Sequence, residues 1–175
     1  MAKYTAMDVA SVFVRLANSL PDDHVDNMKL NKLCYYAQGW HLARFNTPLF
    51  GDPILAWDYG PVIPEVYHAY KSCGKGPIQE AMTEFDELSM SSDELSLLAD
   101  VYSEYGKYTS SALSNMTHEK GAPWDLVYVP NQNNEISQQS MKEFFSRLNS
   151  IDFRLNATPE NIVNGIVLED EEFAS

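Results

Sequence analysis

Cysteine is scarce in this chain of 175 residues, and long apolar segments are missing. The two cysteines, Cys34 and Cys73, cannot form a disulfide framework and lack metal-binding spacing, so we expect reduced thiols. No run approaches the roughly 20 apolar residues that cross a bilayer, and the start of the chain lacks the apolar stretch of a secretion signal. These absences predict a cytoplasmic protein with no membrane segment.

Recognisable catalytic motifs are also missing. None of the four histidines lies three or four residues from another histidine or a cysteine, as a helical metal pair requires. There is no phosphate-binding glycine loop and no nucleophile elbow. The adjacent His118 and Glu119 could act as a general acid and base, but a histidine that is hydrogen-bonded at a helix end is the favoured interpretation. We therefore predict no enzyme activity, no metal and no cofactor.

Positive charge is in short supply, with 12 Lys and Arg against 25 Asp and Glu and a formal net charge of -13. The second half holds most of the imbalance, since residues 81–175 contain 5 basic and 17 acidic residues. Direct binding to nucleic acid is improbable, because that affinity comes from Lys and Arg. A basic protein partner would be attracted. The alternative is that the acidic surface only keeps the protein soluble.

What the sequence has is enough apolar material for one folded domain, with 45% hydrophobic and 12% aromatic residues. We predict a domain over residues 1–149 and a C-terminal extension with an acidic tail over 150–175. The expected fold class is mainly α, a compact single-domain helical bundle with a small β element near residues 54–59.

Helix caps and apolar periodicity locate the elements. Five helices are predicted to start near Thr5, Asp26, Ser92, Thr109 and Ser137. Residues 54–59 have strand character and are predicted as an edge strand or half of a small hairpin, with Gly60 and Pro61 turning the chain. Pro64 suits the first turn of a short helix, and a further turn is predicted over 124–127. Residues 78–91 are interpreted as a surface connection with room for one short strand.

Aromatic side chains are concentrated in the first half of the chain. Tyr and Trp are common where a ring is partly buried and partly presented to a partner, so this cluster is a candidate binding surface. The alternative is that the rings form the core, and composition does not decide between the two. The candidate partner-binding residues are Tyr36, Trp40, Trp57, Tyr59, Pro61, Val62 and Tyr67.

Four sequence blocks, in order, resemble those of a known family. They are KLNKLCYYAQGWHLA at 29–43, PLF at 48–50, AWDYGPVIPEVY at 56–67, and TH at 117–118 followed by PW at 123–124. Together they resemble the Panacea domain, also called the SocA-like antitoxin or phage-associated GepA-type domain. The residues that match the signature and are expected to be structural include Gly60, His118 and Trp124.

The resemblance implies an antitoxin, bacterial or phage-associated, that neutralises a toxin encoded beside it by direct protein contact, without enzyme activity. The toxin could be basic, and the sequence leaves self-association open. Two alternatives accompany this interpretation. One is a phage-encoded acidic inhibitor of a host nucleic-acid-binding protein, and the other is an adaptor that delivers a partner to a protease.

Overall fold

The computed structural model describes residues 2–150, which form seven α-helices and three short strands. The elements are α1 (Ala6–Ser19), α2 (Asn27–Phe45), β1 (Ile54–Trp57), β2 (Gly60–Val62), α3 (Pro64–Ala69), α4 (Ser92–Tyr105), α5 (Ser110–Thr117), α6 (Pro123–Val127), β3 (Glu135–Ile136) and α7 (Gln138–Ser150). This confirms the mainly α fold with a small β element. The acidic tail lies outside the described residues, so the proposed boundary near residue 150 stays a prediction.

The predicted helix starts are confirmed by their capping hydrogen bonds. Thr5 and Ser91 each form a capping box with the acidic residue three positions later. The side chains of Asp26, Thr109 and Ser137 accept hydrogen bonds from the backbone of the first turns of α2, α5 and α7. These side chains satisfy amides that the helix itself leaves without partners. None of the helices within residues 2–150 is long and apolar enough to pass through a bilayer.

Helix α2 lies at the centre of the fold and is buried on nearly all sides. It packs against α1, α4, α5 and α7 and against β2. Several of its buried polar residues are hydrogen-bonded to neighbouring segments, as buried polar groups usually are. Gln38 binds the backbone of residues 49–50, while Asn31 accepts the amide of Ile63 and Asn27 donates to the carbonyl of Tyr67. Helix α2 therefore fixes, by side-chain hydrogen bonds, the position of the loop before β1 and of the connection from β2 to α3.

Helices α2 and α7 approach each other closely at Gly39. A Cβ atom placed on Gly39 would lie 2.1 Å from the ring of Phe145. That ring also packs edge-on against Tyr35 and Trp40, with centroid distances of 5.7 and 5.3 Å. The missing side chain of Gly39 is thus what allows α7 to approach the centre of the core.

The β element is a three-stranded antiparallel sheet in the order β2-β1-β3. The predicted hairpin is confirmed, but β1 is the central strand and not an edge. Gly60 and Pro61 do not turn the chain: they lie in β2, opposite Trp57 and Ala56, and the turn is made by Asp58 and Tyr59. Pro61 is tolerated because β2 is an edge strand and needs no outward amide donor.

The sequence analysis missed one strand and allowed for another that is not formed. Strand β3, at Glu135–Ile136, was not predicted, because two residues give no periodicity to detect. Its pairing with Ile54 and Leu55 makes β1 central. The short strand for which residues 78–91 had room is not formed. The regular structure in this segment is a 3-10 turn at Glu87–Ser89.

Candidate partner-binding site

The turn between β1 and β2 projects an aromatic side chain into solvent. Tyr59 is 67% exposed, and Asp58 beside it is also exposed. Two other large apolar side chains are exposed at the end of α6 and just after it, Leu126 at 62% and Val129 at 48%. Tyr59 lines the same cleft as Tyr128, which lies between Leu126 and Val129 in sequence, so the three side chains belong to one region of the surface.

A stack of three rings, those of His118, Trp124 and Tyr128, packs behind this turn. The ring of His118, at the end of α5, lies 3.8 Å from that of Trp124 in α6, with an interplanar angle of 10°. Trp124 in turn stacks on Tyr128 at 4.3 Å. The indole Nε1 of Trp124 donates to the carbonyl of Trp57 at 2.7 Å, which ties the stack to the end of β1. The two signature residues His118 and Trp124 therefore anchor the hairpin.

The third signature residue, Gly60, allows a close approach between the hairpin and two helices. Its φ of +115° lies in a region that residues with a side chain rarely adopt. A Cβ there would also meet Thr117 Oγ1 at 2.6 Å and Lys32 Cε at 2.8 Å. Gly60 is thus required both by its backbone conformation and by the side chains packed against it.

Lys32 is a fully buried amine that the sequence did not single out. It lies in the middle of α2 with no exposed surface, and its Nζ has no hydrogen-bond partner within the described residues. Burial lowers the pKa of Lys32 to about 7, opposed by the negative charge of Asp26. Burial and the nearby Lys32 also hold the pKa of His118 below its ordinary value. Both bases behind the hairpin are therefore largely neutral at mildly alkaline pH.

Between the hairpin turn and the loop after α6 there is an open cleft of about 370 Å³. We call it the hairpin cleft, and it is lined by Ala56, Trp57, Asp58, Tyr59, Tyr128, Asn131 and Asn133. The hydroxyl of Tyr128 donates to Asp58 Oδ1 at 2.5 Å and joins the two walls. That acceptor raises the pKa of Tyr128. The cleft is thus a small aromatic surface with one carboxylate.

The structure divides the seven predicted partner-binding residues into two groups. Tyr36, Trp40, Pro61 and Val62 are buried, and Trp40 donates to the hydroxyl of Tyr105 inside the core. Tyr59 is exposed, while Trp57 and Tyr67 are half-buried and pack edge-on at 5.1 Å. Only these last three reach the surface among the seven. The cleft residues Asp58, Tyr128, Asn131 and Asn133 were not predicted, because no periodic pattern marks a loop that closes on a distant turn.

The pair formed by His118 and Glu119 does not have the geometry of an accessible acid and base. The imidazole of His118 is covered on one face by Trp124, and its Nε2 is enclosed by protein with no hydrogen-bond partner in residues 2–150. A substrate atom would have no access to that nitrogen. Across the same residues, no three His, Cys, Asp or Glu side chains come together as a metal site.

Comparison with known proteins places the chain in a family. The protein-family model described as "Antitoxin SocA-like, Panacea domain" matches residues 30–125, more than half of the chain. The chain belongs to the SocA-like Panacea family. Antitoxin SocA of Caulobacter vibrioides (strain NA1000 / CB15N) is 30% identical over 131 residues, which cover 70% of this chain and 69% of that protein. No solved structure matches the chain.

The matched Panacea segment runs from the first turns of α2 to the middle of α6. It includes Gly60, His118 and Trp124 and the hairpin wall of the cleft. The opposite wall, with Tyr128, Asn131 and Asn133, follows the matched segment in sequence. The hairpin cleft therefore combines a wall built by the Panacea segment with a wall that lies beyond it.

Proposed function

We propose that this chain is an antitoxin that neutralises a protein toxin by binding it directly. The observation that carries this proposal is the similarity to Antitoxin SocA over 70% of the chain. The surface supports the same conclusion, because an exposed aromatic turn on a rigid frame is suited to protein contact. No catalytic step is required for a neutralising role of this kind. The toxin is expected to be the product of a neighbouring gene.

We further propose that the toxin docks on the hairpin turn and the adjacent end of α6. The exposed side chains there are Tyr59, Leu126 and Val129. The ring stack under the turn and the bond from Trp124 to the Trp57 carbonyl hold this surface in place before binding. A surface that is already ordered loses less conformational entropy when a partner binds.

Co-expression with the neighbouring gene product tests the proposal. The intact chain should restore growth of cells that express the toxin, and the purified proteins should form a complex. Continued killing with both proteins well expressed would contradict an antitoxin role. The docking surface is tested by Tyr59→Ala, which should raise the dissociation constant by about tenfold or more, as loss of a central aromatic contact does.

A matched control is provided by Leu88→Ala. Leu88 is 82% exposed and lies in the 3-10 turn before α4, away from the hairpin in sequence. This variant should bind the toxin like the unmodified chain. Equal losses in both variants, or none in Tyr59→Ala, would place the docking surface elsewhere.

A further inference from the structure

The lining of the hairpin cleft has one full charge, and it is negative. Of the residues that line it, Asp58 carries the carboxylate, while three are aromatic and two are asparagines. Asp58 Oδ1 accepts the hydroxyl of Tyr128, and Oδ2 accepts no hydrogen bond from residues 2–150. The cleft therefore offers an available carboxylate oxygen next to aromatic rings, a combination that attracts cations.

The walls of the cleft are held in place by hydrogen bonds that do not involve its open side. The amide of Ala56 donates to the carbonyl of Asn134 at 2.8 Å, which pins the loop to β1. The side chain of Asn134 donates to the carbonyl of Val127 at 2.7 Å, which pins the same loop to α6. Tyr128 is further fixed by stacking on Trp124. A ligand would thus meet an arrangement that is already formed.

The loop itself is folded tightly enough to place its asparagines at the cleft. Asn131 and Asn133 both have positive φ angles, 64° and 51°, a conformation that asparagine tolerates better than most residues. Each has an amide oxygen that can accept a hydrogen bond from an ammonium or guanidinium group. Together with the carboxylate of Asp58, these two amide oxygens give the cleft several hydrogen-bond acceptors, which suits a cation with several donors.

The widest of the clefts compared with the hairpin cleft, of about 730 Å³, lies between the start of α2 and the turn after α4. It already contains a cation, Lys29, whose Nζ donates to the carbonyl of Gly106, and its Tyr102 donates to Asp23. Its central polar groups therefore satisfy one another, whereas in the hairpin cleft Asp58 Oδ2 accepts no hydrogen bond from residues 2–150.

We infer that the hairpin cleft receives a basic side chain, arginine or lysine, of the bound toxin. This inference rests on the proposed function for the identity of the partner. The cation would lie against the rings of Tyr59 and Tyr128 and pair with Asp58. An exposed pair of this kind is weak, but the partner would cover it and remove water, which strengthens both the ion pair and the cation–π contact. An acidic or purely apolar side chain would leave Oδ2 of Asp58 covered without a hydrogen-bond donor.

The isolated chain can be tested first, with a small probe in place of the toxin. N-acetyl-L-arginine amide is titrated into the full chain at about pH 8, where Lys32 is mostly neutral, and backbone amide signals are followed by NMR. N-acetyl-L-citrulline amide has nearly the same shape without the charge. The arginine probe should shift the signals of Tyr128, Asn131 and Asn133, and the citrulline probe should not. Equal responses to the two probes, or none to either, would overturn the inference.

Two variants identify the charge that is responsible. Asp58→Asn keeps the size of the side chain and should weaken the response to the arginine probe by about fivefold or more. Glu80→Gln removes an exposed carboxylate outside the cleft and should have no effect. An Asp58→Asn variant that retains its amide spectrum and binds the probe as before would also overturn the inference.

The toxin complex separates this inference from the proposed function. If the chain neutralises the toxin, Asp58→Asn should accelerate dissociation about tenfold and Glu80→Gln should not. Neutralisation that is unaffected by Asp58→Asn, together with no probe binding, would leave the antitoxin role intact and exclude the cation cleft. Failure to bind the toxin at all, with probe binding that depends on Asp58, would support the cation cleft and contradict the antitoxin role.

Discussion

Replacing Lys32 with methionine should stabilise the protein, and the gain should depend on pH in a defined way. The amine is fully buried, and its pKa falls from 10.5 to about 7 in the folded chain. At 1.36 kcal/mol per pKa unit, this difference corresponds to roughly 5 kcal/mol against the folded state. Methionine has a similar unbranched shape, so the substitution removes the amine with little change in packing.

The pH dependence follows from the two protonation equilibria. Above about pH 10.5 the amine is neutral in both states, and its burial carries no charge penalty. As the pH falls from 10.5 to about 7, the unfolded chain binds the proton and the folded chain does not, so the free energy of unfolding decreases. Below about 7 both states are protonated and the full penalty is present. The advantage of Lys32→Met should therefore be largest at and below pH 7.

Urea unfolding followed by circular dichroism measures this advantage. The variant should exceed the unmodified protein by roughly 5 kcal/mol at about pH 7 and by roughly 1 to 2 kcal/mol at about pH 9.5. Lys75→Met, at an exposed position, provides the control and should change stability little at either pH. A difference between Lys32→Met and the unmodified protein that is the same at both pH values would show that Lys32 is not neutralised by burial.

Two further predictions concern the core. Gly39→Ala should lower the free energy of unfolding by about 1 to 3 kcal/mol in urea denaturation, because the new Cβ would overlap the ring of Phe145; an unchanged midpoint would mean that α7 can shift at no cost. A thiol reagent added to the native protein should modify Cys73 quickly and Cys34 only on unfolding, since Cys34 is fully buried and burial raises its pKa. Rapid reaction of two thiols per native chain would contradict the packing of α2.

The helical part of the fold could be predicted from the sequence because its signals are local. A cap such as Thr5 or Ser137 and the apolar residues that follow it lie within a few positions of one another, so they can be recognised without knowing the fold. The sheet was predicted less well. Strand β3 is held by pairing with β1 and by the Asn134 carbonyl, and nothing within its two residues indicates a strand.

The candidate site could be predicted only in part for the same reason. Trp57 and Tyr59 could be named as candidates because aromatic residues next to a turn are a local signal, and both line the hairpin cleft. Asp58 and Tyr128 are 70 residues apart and meet only when α6 folds against the hairpin. The burial of individual side chains could not be predicted either. Tyr and Trp occur both in cores and at binding surfaces, and Tyr36 and Trp40 are buried because other elements surround α2.

The three tryptophans differ in solvent exposure, so the intrinsic fluorescence of the protein can report on one region of its surface. Trp40 and Trp124 are at most 8% exposed, and Trp124 is held between two other rings. Trp57 is half-buried and lines the hairpin cleft. Because Trp40 and Trp124 are shielded from solvent, a change in the tryptophan emission on binding would come mainly from Trp57 and would report whatever enters the cleft. Occupancy could then be followed in real time with no attached dye, at concentrations far below those that NMR requires.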